Sequence, residues 1–113
     1  MTITTELKAD RIRALNDAFR HTFVGGAVIV TQGVEAMPLD QRRSHLQKVR
    51  NFEAFSEDSD PHGEHDFGAV DDAGERFFWK LDYYDRNMEF GSPDPTDPAV
   101  TTRVLTNMRA DEY

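Results

Sequence analysis

Apolar residues recur at helical spacing near the start of the chain and predict an amphipathic helix. The spaced apolar positions are Ile12, Leu15, Phe19 and Phe23. Its charged residues, among them Arg13, Asp17 and Arg20, are assigned to the other faces of this helix. The helix is expected to end by the glycine pair at residues 25–26, and the β-branched run at residues 27–31 predicts a short strand.

A second helix is predicted after Pro38, with Asp40 as its capping residue. Its apolar stripe consists of Leu39, Leu46, Val49 and Phe52. Basic residues form another side, namely Arg42, Arg43, Lys48 and Arg50. His21 and His45 lie on the two predicted helices, and both are expected at the surface.

From residue 66 the helical spacing gives way to the alternation that is typical of strands. Residues 67–70 and 75–84, joined by a glycine-containing turn at residues 71–74, predict a β-hairpin. One alternating set of the second arm is expected to face the core: Phe77, Trp79, Leu81 and Tyr83. The other set is expected to be partly exposed: Phe78, Lys80, Asp82 and Tyr84.

The last quarter of the chain predicts a short fourth strand at residues 88–90 and then a final helix. Asp97 followed by Pro98 is typical of a helix N-terminus. The apolar positions of this helix are Val100, Val104, Leu105 and Met108. The elements predict a single α+β domain over residues 1–113, with a small, mainly antiparallel sheet of three or four strands and three helices. Residues 1–5 are expected to be flexible.

Composition narrows the function classes. The chain has 113 residues and no cysteine, which excludes disulfides, thiol nucleophiles and cysteine-ligated zinc. No apolar run approaches the ~20 residues of a membrane span, and the first ten residues lack an apolar signal core, so a cytoplasmic location is expected. The net charge of −8 argues against direct binding to nucleic acid, which favours basic surfaces.

The charge is concentrated in one segment. Residues 1–50 carry a net charge of +3, whereas residues 51–113 carry −11. Residues 51–75, which we call the acidic segment, contain nine acidic residues and no Lys or Arg. Such crowding opposes compaction unless a cation or a basic partner offsets it. A solvated acidic loop is the alternative interpretation.

Within the acidic segment, residues 58–66 hold four carboxylates and two imidazoles. These ligand types suit Mn²⁺, Zn²⁺ or Fe²⁺, but their spacing matches neither the His-Glu-x-x-His motif nor a calcium loop. The candidate metal ligands are Asp60, His62, His65 and Asp66. Turn formation explains the same composition, with Asp58 and Asp60 accepting hydrogen bonds from backbone amides.

Three stretches of the chain resemble a family of small bacterial proteins of unknown function. They are residues 57–68, which contain Asp-Pro-His-Gly-Glu-His-Asp-Phe-Gly, and residues 78–85 and 91–95. Family members are typically encoded on plasmids and other mobile elements. The resemblance therefore implies a conjugation, replication or counter-defence context, in which small acidic proteins often bind nucleases or DNA-binding proteins, and it assigns no catalytic residue.

The sequence leads us to expect one of two functions. No cofactor is favoured for the first of them. The first is a binding module that meets a basic protein, with Tyr83, Tyr84 or Phe90 as an apolar anchor. Its binding residues are Glu57, Asp58, Asp60, Glu64, Asp66, Asp71, Asp72 and Tyr84. The alternative is a hydrolase or nuclease that uses a divalent metal at the four ligands above, with Glu64 as general base and Lys80 stabilising negative charge.

A third interpretation is a homodimer. In it, the basic residues Arg42, Arg43 and Arg50 of one copy meet the acidic segment of another.

Overall fold

A computed structural model describes the backbone of residues 2–113 and the side chains of residues 7–113. The predicted flexibility of residues 1–5 concerns Met1 and the side chains of residues 2–5, which lie outside the described part of the chain. The elements are α1 (Thr2–Thr22), β1 (Gly26–Val30), α2 (Gln32–Glu35), α3 (Leu39–Arg50), β2 (Phe67–Asp72), β3 (Glu75–Tyr84) and β4 (Thr102–Arg109), with 3₁₀ turns at Pro98–Val100 and Ala110–Glu112. No helix of the described chain is long and apolar enough to cross a bilayer.

The four strands form one sheet in the order β1-β4-β3-β2. β2 and β3 form the predicted antiparallel hairpin, β3 is also antiparallel to β4, and β1 runs parallel to β4. The α+β class is therefore confirmed, with a mixed sheet that is mainly antiparallel.

The predicted final helix is wrong, because residues 102–109 form the central strand β4 instead. Asp97 does cap the segment, accepting a hydrogen bond from the Ala99 amide at 2.9 Å, but only one 3₁₀ turn follows. β-branched residues such as Thr102, Val104 and Thr106 favour a strand. Pairing on both sides with β1 and β3 then outweighs the weak helical spacing of the apolar positions.

The predicted strand at residues 88–90 is also absent from the described chain. Residues 85–90 form a turn, closed by a hydrogen bond from the Asp85 amide to the Phe90 carbonyl at 2.8 Å. One isolated bridge, between Tyr84 and Gly91, follows the end of β3. The turn leaves the Phe90 side chain 71% exposed.

The core lies between the sheet and the helices α1 and α3. It is built from Phe19, Val49, Val70, Trp79, Leu81 and Leu105. Of the further predicted core residues, Ile12, Phe77 and Val104 are buried and Leu15, Val28, Val30, Leu46, Tyr83 and Val100 are half-buried. Gly68 pairs with Trp79 across the hairpin, and a Cβ at Gly68 would overlap the indole of Trp79. Glycine at this position therefore lets the indole close over β2.

His45 is fully buried on α3, so the expectation of a surface position is wrong. Its ring centroid lies 4.8 Å from that of Phe77. Neither ring nitrogen has a hydrogen-bond partner within the described chain. Burial lowers the pKa of His45; the Asp72 carboxylate opposes this shift and Lys48 adds to it. The imidazole is therefore held neutral in the folded protein.

Acidification should destabilise the protein through His45. The folded state disfavours the charged ring, whereas the unfolded chain takes up its proton near pH ~6.5. The stability that His45 contributes is therefore present above this pH and is lost as the pH falls below it. We expect the thermal midpoint of H45L, which lacks the titrating ring, to fall less between pH 7.5 and 5.5 than that of the wild type.

The matched control is H21Q, because His21 is exposed on α1. Its pH dependence should follow that of the wild type. At pH 7.5, H45L should match or exceed wild-type stability, by up to ~1 kcal/mol, because two unpaired buried nitrogens are removed. Equal pH dependence of H45L and the wild type would contradict this account of His45.

Candidate functional site

One face of α1 is polar and yet buried against the acidic segment. The residues Arg13, Asn16, Asp17 and Arg20, which we call the polar stripe, are spaced three, one and three positions apart and so share this face. Asn16 is fully buried and Arg20 is 1% exposed. Arg20 is thus buried although it lies on a face of α1 other than that of the apolar residues.

Arg20 joins α1 to the start of the acidic segment. Its Nη1 donates to the carbonyls of Val49 and Phe52 at 2.9 and 2.8 Å, and its Nη2 donates to Asp17 at 3.1 Å. The guanidinium carbon lies 5.1 Å from the ring centroid of Trp79, within cation–π range. Burial lowers the pKa of Arg20, while the hydrogen bond to Asp17 opposes that shift.

Asn16 holds the far end of residues 56–66, which we call the acidic loop. Its amide nitrogen donates to the Glu64 carbonyl at 3.0 Å and to the Tyr83 hydroxyl at 2.8 Å. Its amide oxygen accepts from Arg103 Nε at 2.8 Å. The Tyr83 hydroxyl in turn donates to Glu64 Oε1 at 2.9 Å. The Asn16 amide thus joins α1 to the acidic loop through Glu64 and to the sheet through Tyr83 and Arg103.

Arg13 adds a third attachment, donating from Nη1 to the Gly63 carbonyl at 2.9 Å. Gly63 has a φ of +67°, in the left-handed region that glycine adopts without strain. The loop therefore turns sharply at Gly63 and presents its carbonyl to α1.

His65 lies at the centre of the loop attachment. Its backbone amide donates to Asp60 Oδ1 at 3.1 Å, and its ring Nδ1 lies 2.9 Å from Asp17 Oδ1. Its Nε2 lies 3.7 Å from Asp60 Oδ2, so both ring nitrogens face carboxylates. The ring stacks on Phe55 at 3.7 Å with an interplanar angle of 3°. The stacking on Phe55 and the contact of Nδ1 with Asp17 hold the ring in place, while Nε2 faces Asp60 beyond hydrogen-bond distance.

Some of the expected binding residues are exposed to solvent, whereas others are buried or bound to other residues of the protein. Glu57 and Asp58 are exposed at the loop surface, as expected. Asp60 is only 9% exposed, and its carboxylate accepts a hydrogen bond from the His65 amide, as the turn interpretation expects. Glu64 and Asp66 are half-buried.

The remaining expected binding residues lie outside the loop. Asp71 pairs with Arg76 at 3.0 Å, and Asp72 pairs with Lys48 at 3.3 Å. Tyr84 is half-buried on the sheet face opposite Tyr83, because successive side chains of β3 alternate. Of the expected binding residues, Glu57 and Asp58 therefore keep exposed carboxylates with no ion pair within residues 7–113, and the neighbouring Glu53 is exposed as well.

Negative charge accumulates inside the loop as well. Burial raises the pKa of the Asp66 carboxyl, and the nearby Glu64 and Asp60 raise it further. His62 opposes this shift. The ionised form of Asp66 is thus disfavoured in the folded protein, so this carboxylate lowers stability at neutral pH.

The residues of the hydrolase alternative do not form one site in the structure. Asp60 and His65 meet, but within the described chain no three His, Cys, Asp or Glu side chains gather as metal ligands would. His62 is exposed. Lys80 pairs with Asp82 at 3.3 Å on the sheet face opposite Tyr83 and its partner Glu64. The expected base and the expected cation are therefore on different faces of β3.

A cleft of about 330 Å³ opens between α1 and the acidic segment. It is lined by Asp17, Arg20, His21, Glu53, Phe55 and His65. The polar stripe was missed as part of the site, although its helical spacing is visible in the sequence. That spacing could have indicated a shared face, but not which structure covers it.

A known family model matches most of the chain. Residues 30–112 match the family model described as Protein of unknown function (DUF3768). The chain belongs to this family. The resemblance to a family of unknown function is thereby confirmed, and the matched region includes the acidic loop and strands β2 to β4. No curated protein and no solved structure matches the chain.

Removing the amide of Asn16 should destabilise the protein and loosen the loop. In N16A the Glu64 carbonyl, the Tyr83 hydroxyl and Arg103 each lose a partner, and unpaired buried groups cost about 1–3 kcal/mol each. We expect urea unfolding to show a loss of at least ~2 kcal/mol. The control Q47A removes an exposed amide on α3 and should change stability by less than ~0.5 kcal/mol. Similar losses in both variants would contradict the role of Asn16.

Neutralising Asp66 should stabilise the protein. Because the folded-state pKa is raised, D66N should gain thermal stability over the wild type at pH 7, and the gain should shrink as the pH falls and Asp66 itself becomes protonated. The control D58N changes an exposed carboxylate and should shift stability by less than ~0.5 kcal/mol. A loss of stability in D66N at pH 7 would show instead that the carboxylate is needed for folding.

Proposed function

We propose that this chain is a small binding module that engages a basic protein surface through its acidic loop. The partner is a nucleic-acid-binding or defence protein, whose basic surface the loop occupies in place of nucleic acid. This role fits an accessory or inhibitory protein of a mobile element acting in the cytoplasm.

One observation carries the proposal: the arginines that hold the loop region contact backbone carbonyls instead of its outward carboxylates. Arg13 donates to the Gly63 carbonyl, and Arg20 donates to the carbonyls of Val49 and Phe52. Within residues 7–113, no ion pair includes Glu57 or Asp58. The attachment therefore uses cations without neutralising the charge that faces solvent.

The internal attachment also favours binding. A loop that is already ordered loses little conformational freedom when a partner docks, so less of the interaction free energy is lost to ordering. Uncompensated charge at the loop surface steers a basic partner and raises its association rate, an effect that salt screens. The unfavourable ionisation of Asp66 supports the same interpretation, since costly groups are retained at functional sites.

An apolar anchor lies at the same end of the sheet. The acidic loop leads directly into β2, whose first residue Phe67 pairs with Lys80, and β3 continues from Lys80 to its end at Tyr84. The turn after β3 exposes Phe90 by 71% and Met88 by 47%. Interfaces draw most of their affinity from a few such large side chains. We therefore place the anchor at Phe90 and the charge at Glu57 and Asp58.

The test is capture of proteins from a cell lysate by immobilised wild type and by the double variant E57Q with D58N. The variant should lose captured proteins that the wild type retains at low salt, and capture by the wild type should fall severalfold as salt is raised to shorten the screening length below ~8 Å. The F90A variant should capture smaller amounts of the same proteins.

The matched control is E35Q with D40N, which removes two exposed carboxylates from α2 and α3 and leaves the acidic loop and the turn that carries Phe90 unchanged. It should capture the same proteins as the wild type. The control loses as much negative charge as the loop variant, and only the position of the lost charge differs. Identical capture by the wild type, the loop variant and the control would contradict the proposal. Melting of each variant by circular dichroism confirms that the fold is retained.

A further inference from the structure

A second cavity, of about 330 Å³, lies at the end of the sheet where the parallel strands β1 and β4 begin. Its walls come from α1, from the loop before β1, from the turn after β3 and from the residues that enter β4. We call it the arginine cavity, because Arg86 and Arg103 both line it. None of its lining residues belongs to the acidic segment or lines the cleft beside His65. The arginine cavity is therefore a different site from the acidic loop.

Much of the wall of the arginine cavity is apolar. The apolar side chains are those of Leu15, Ala18, Phe19, Val24 and Pro98. Val24 is 75% exposed, and Ala18 and Pro98 are exposed as well. A hydrocarbon group bound here would remove this apolar surface from water, which is favourable.

The charge of the arginine cavity is positive. Arg86 and Arg103 line it, and no Asp or Glu of the described chain does. This is the reverse of the chain as a whole, which carries −8. Arg86 is exposed, and no ion pair within residues 7–113 includes it. The cavity therefore favours an anion over a cation.

Arg103 is 4% exposed, and only part of its guanidinium is hydrogen-bonded. Its Nε donates to Asn16 Oδ1 at 2.8 Å, and its Nη2 donates to the Pro95 carbonyl. The guanidinium carbon lies 5.3 Å from the ring centroid of Tyr83. The remaining nitrogen, Nη1, has no hydrogen-bond partner within residues 7–113. A buried cation that keeps unused donors beside a cavity is suited to an anionic ligand.

The fold leaves the charge of Arg103 incompletely compensated. Burial lowers the pKa of Arg103 and the charge of Arg11 adds to this shift, whereas Tyr83 and Glu64 oppose it. An anion beside the guanidinium would offset the cost of burial, because an opposite charge favours the ionised form.

We propose that the arginine cavity binds a small organic anion. Its carboxylate or phosphate head contacts Arg86 and Arg103, and its apolar body packs against Val24 and the apolar wall of α1. The planar fork of a guanidinium matches the oxygens of both head groups. A volume of about 330 Å³ lies at the lower end of cavities that hold small ligands, so the body is a short aliphatic chain or a single ring. The net charge of −8 disfavours a nucleic acid as the source of the phosphate.

The test is titration of the ¹⁵N-labelled full chain with octanoate, followed by two-dimensional NMR. The amides of Val24, Gly25 and Thr101 belong to residues that line the cavity and should shift in a saturable way. We expect a dissociation constant of about 1 mM or tighter for a ligand of this size. Octyl phosphate is titrated in parallel to show which head group binds more tightly, and saturable binding of either one supports the proposal.

Two further ligands separate the role of the head from that of the body. Octylamine carries the same body with a positive head and should leave the cavity amides unchanged, because the two arginines repel it. Acetate carries the head alone and should bind at least about tenfold more weakly than octanoate. Equal shifts of the cavity amides with octylamine and octanoate would overturn the proposal, since an apolar body would then be sufficient.

Variants at exposed positions test the location of the site. R86Q removes one cation and should weaken octanoate binding at least about threefold. A18F places a ring at the cavity wall and should abolish binding. The control R43Q makes the same charge change as R86Q on α3 and should bind octanoate as the wild type does. Circular dichroism melting confirms that each variant is folded.

Either of two results would overturn the arginine cavity as an anion site. One is the absence of a saturable shift at the cavity amides of the wild type up to about 10 mM octanoate. The other is wild-type affinity for octanoate in both R86Q and A18F.

Discussion

Hydrogen bonds from one face of α1 to backbone carbonyls are the interaction on which the rest of the structure depends. Arg20 contacts carbonyls at the end of α3, Asn16 contacts the Glu64 carbonyl, and Arg13 contacts the Gly63 carbonyl. Buried carbonyls need donors, and a loop dense in Asp, Ser and Gly cannot supply them from its own regular structure. Side chains from α1 therefore provide the hydrogen bonds that a helix or strand would otherwise make.

The same arrangement links the stability of the loop to the binding that we propose. Because the donors are used on the backbone, Glu57 and Asp58 stay exposed, while Asp60 is drawn inward to hold His65. The loop thus combines an ordered path with unneutralised surface charge. Its strain is expressed at Asp66, whose ionisation the fold disfavours because of burial and nearby carboxylates.

Local pattern predicted the hairpin well because alternation in β3 is enforced by one buried face and one exposed face. It failed at β4, where pairing with β1 and β3 decided the structure of a segment with mixed signals. It also failed at His45, since a polar residue on a helix is expected outside, and it gave no indication that Asn16 is buried. The contacts that bury Asn16 join residues 48 to 87 positions apart, and no local pattern records them.

The most direct test of the account is the order of the acidic loop in solution. Backbone ¹⁵N relaxation would report the order parameters of the amides at residues 57–64 in the intact chain. The attachment to α1 predicts values near the ~0.85 of rigid backbone, close to those of β3. Order parameters below ~0.6 across these residues would contradict the attachment to α1. A loop that moves on the picosecond to nanosecond timescale is not held by the polar stripe.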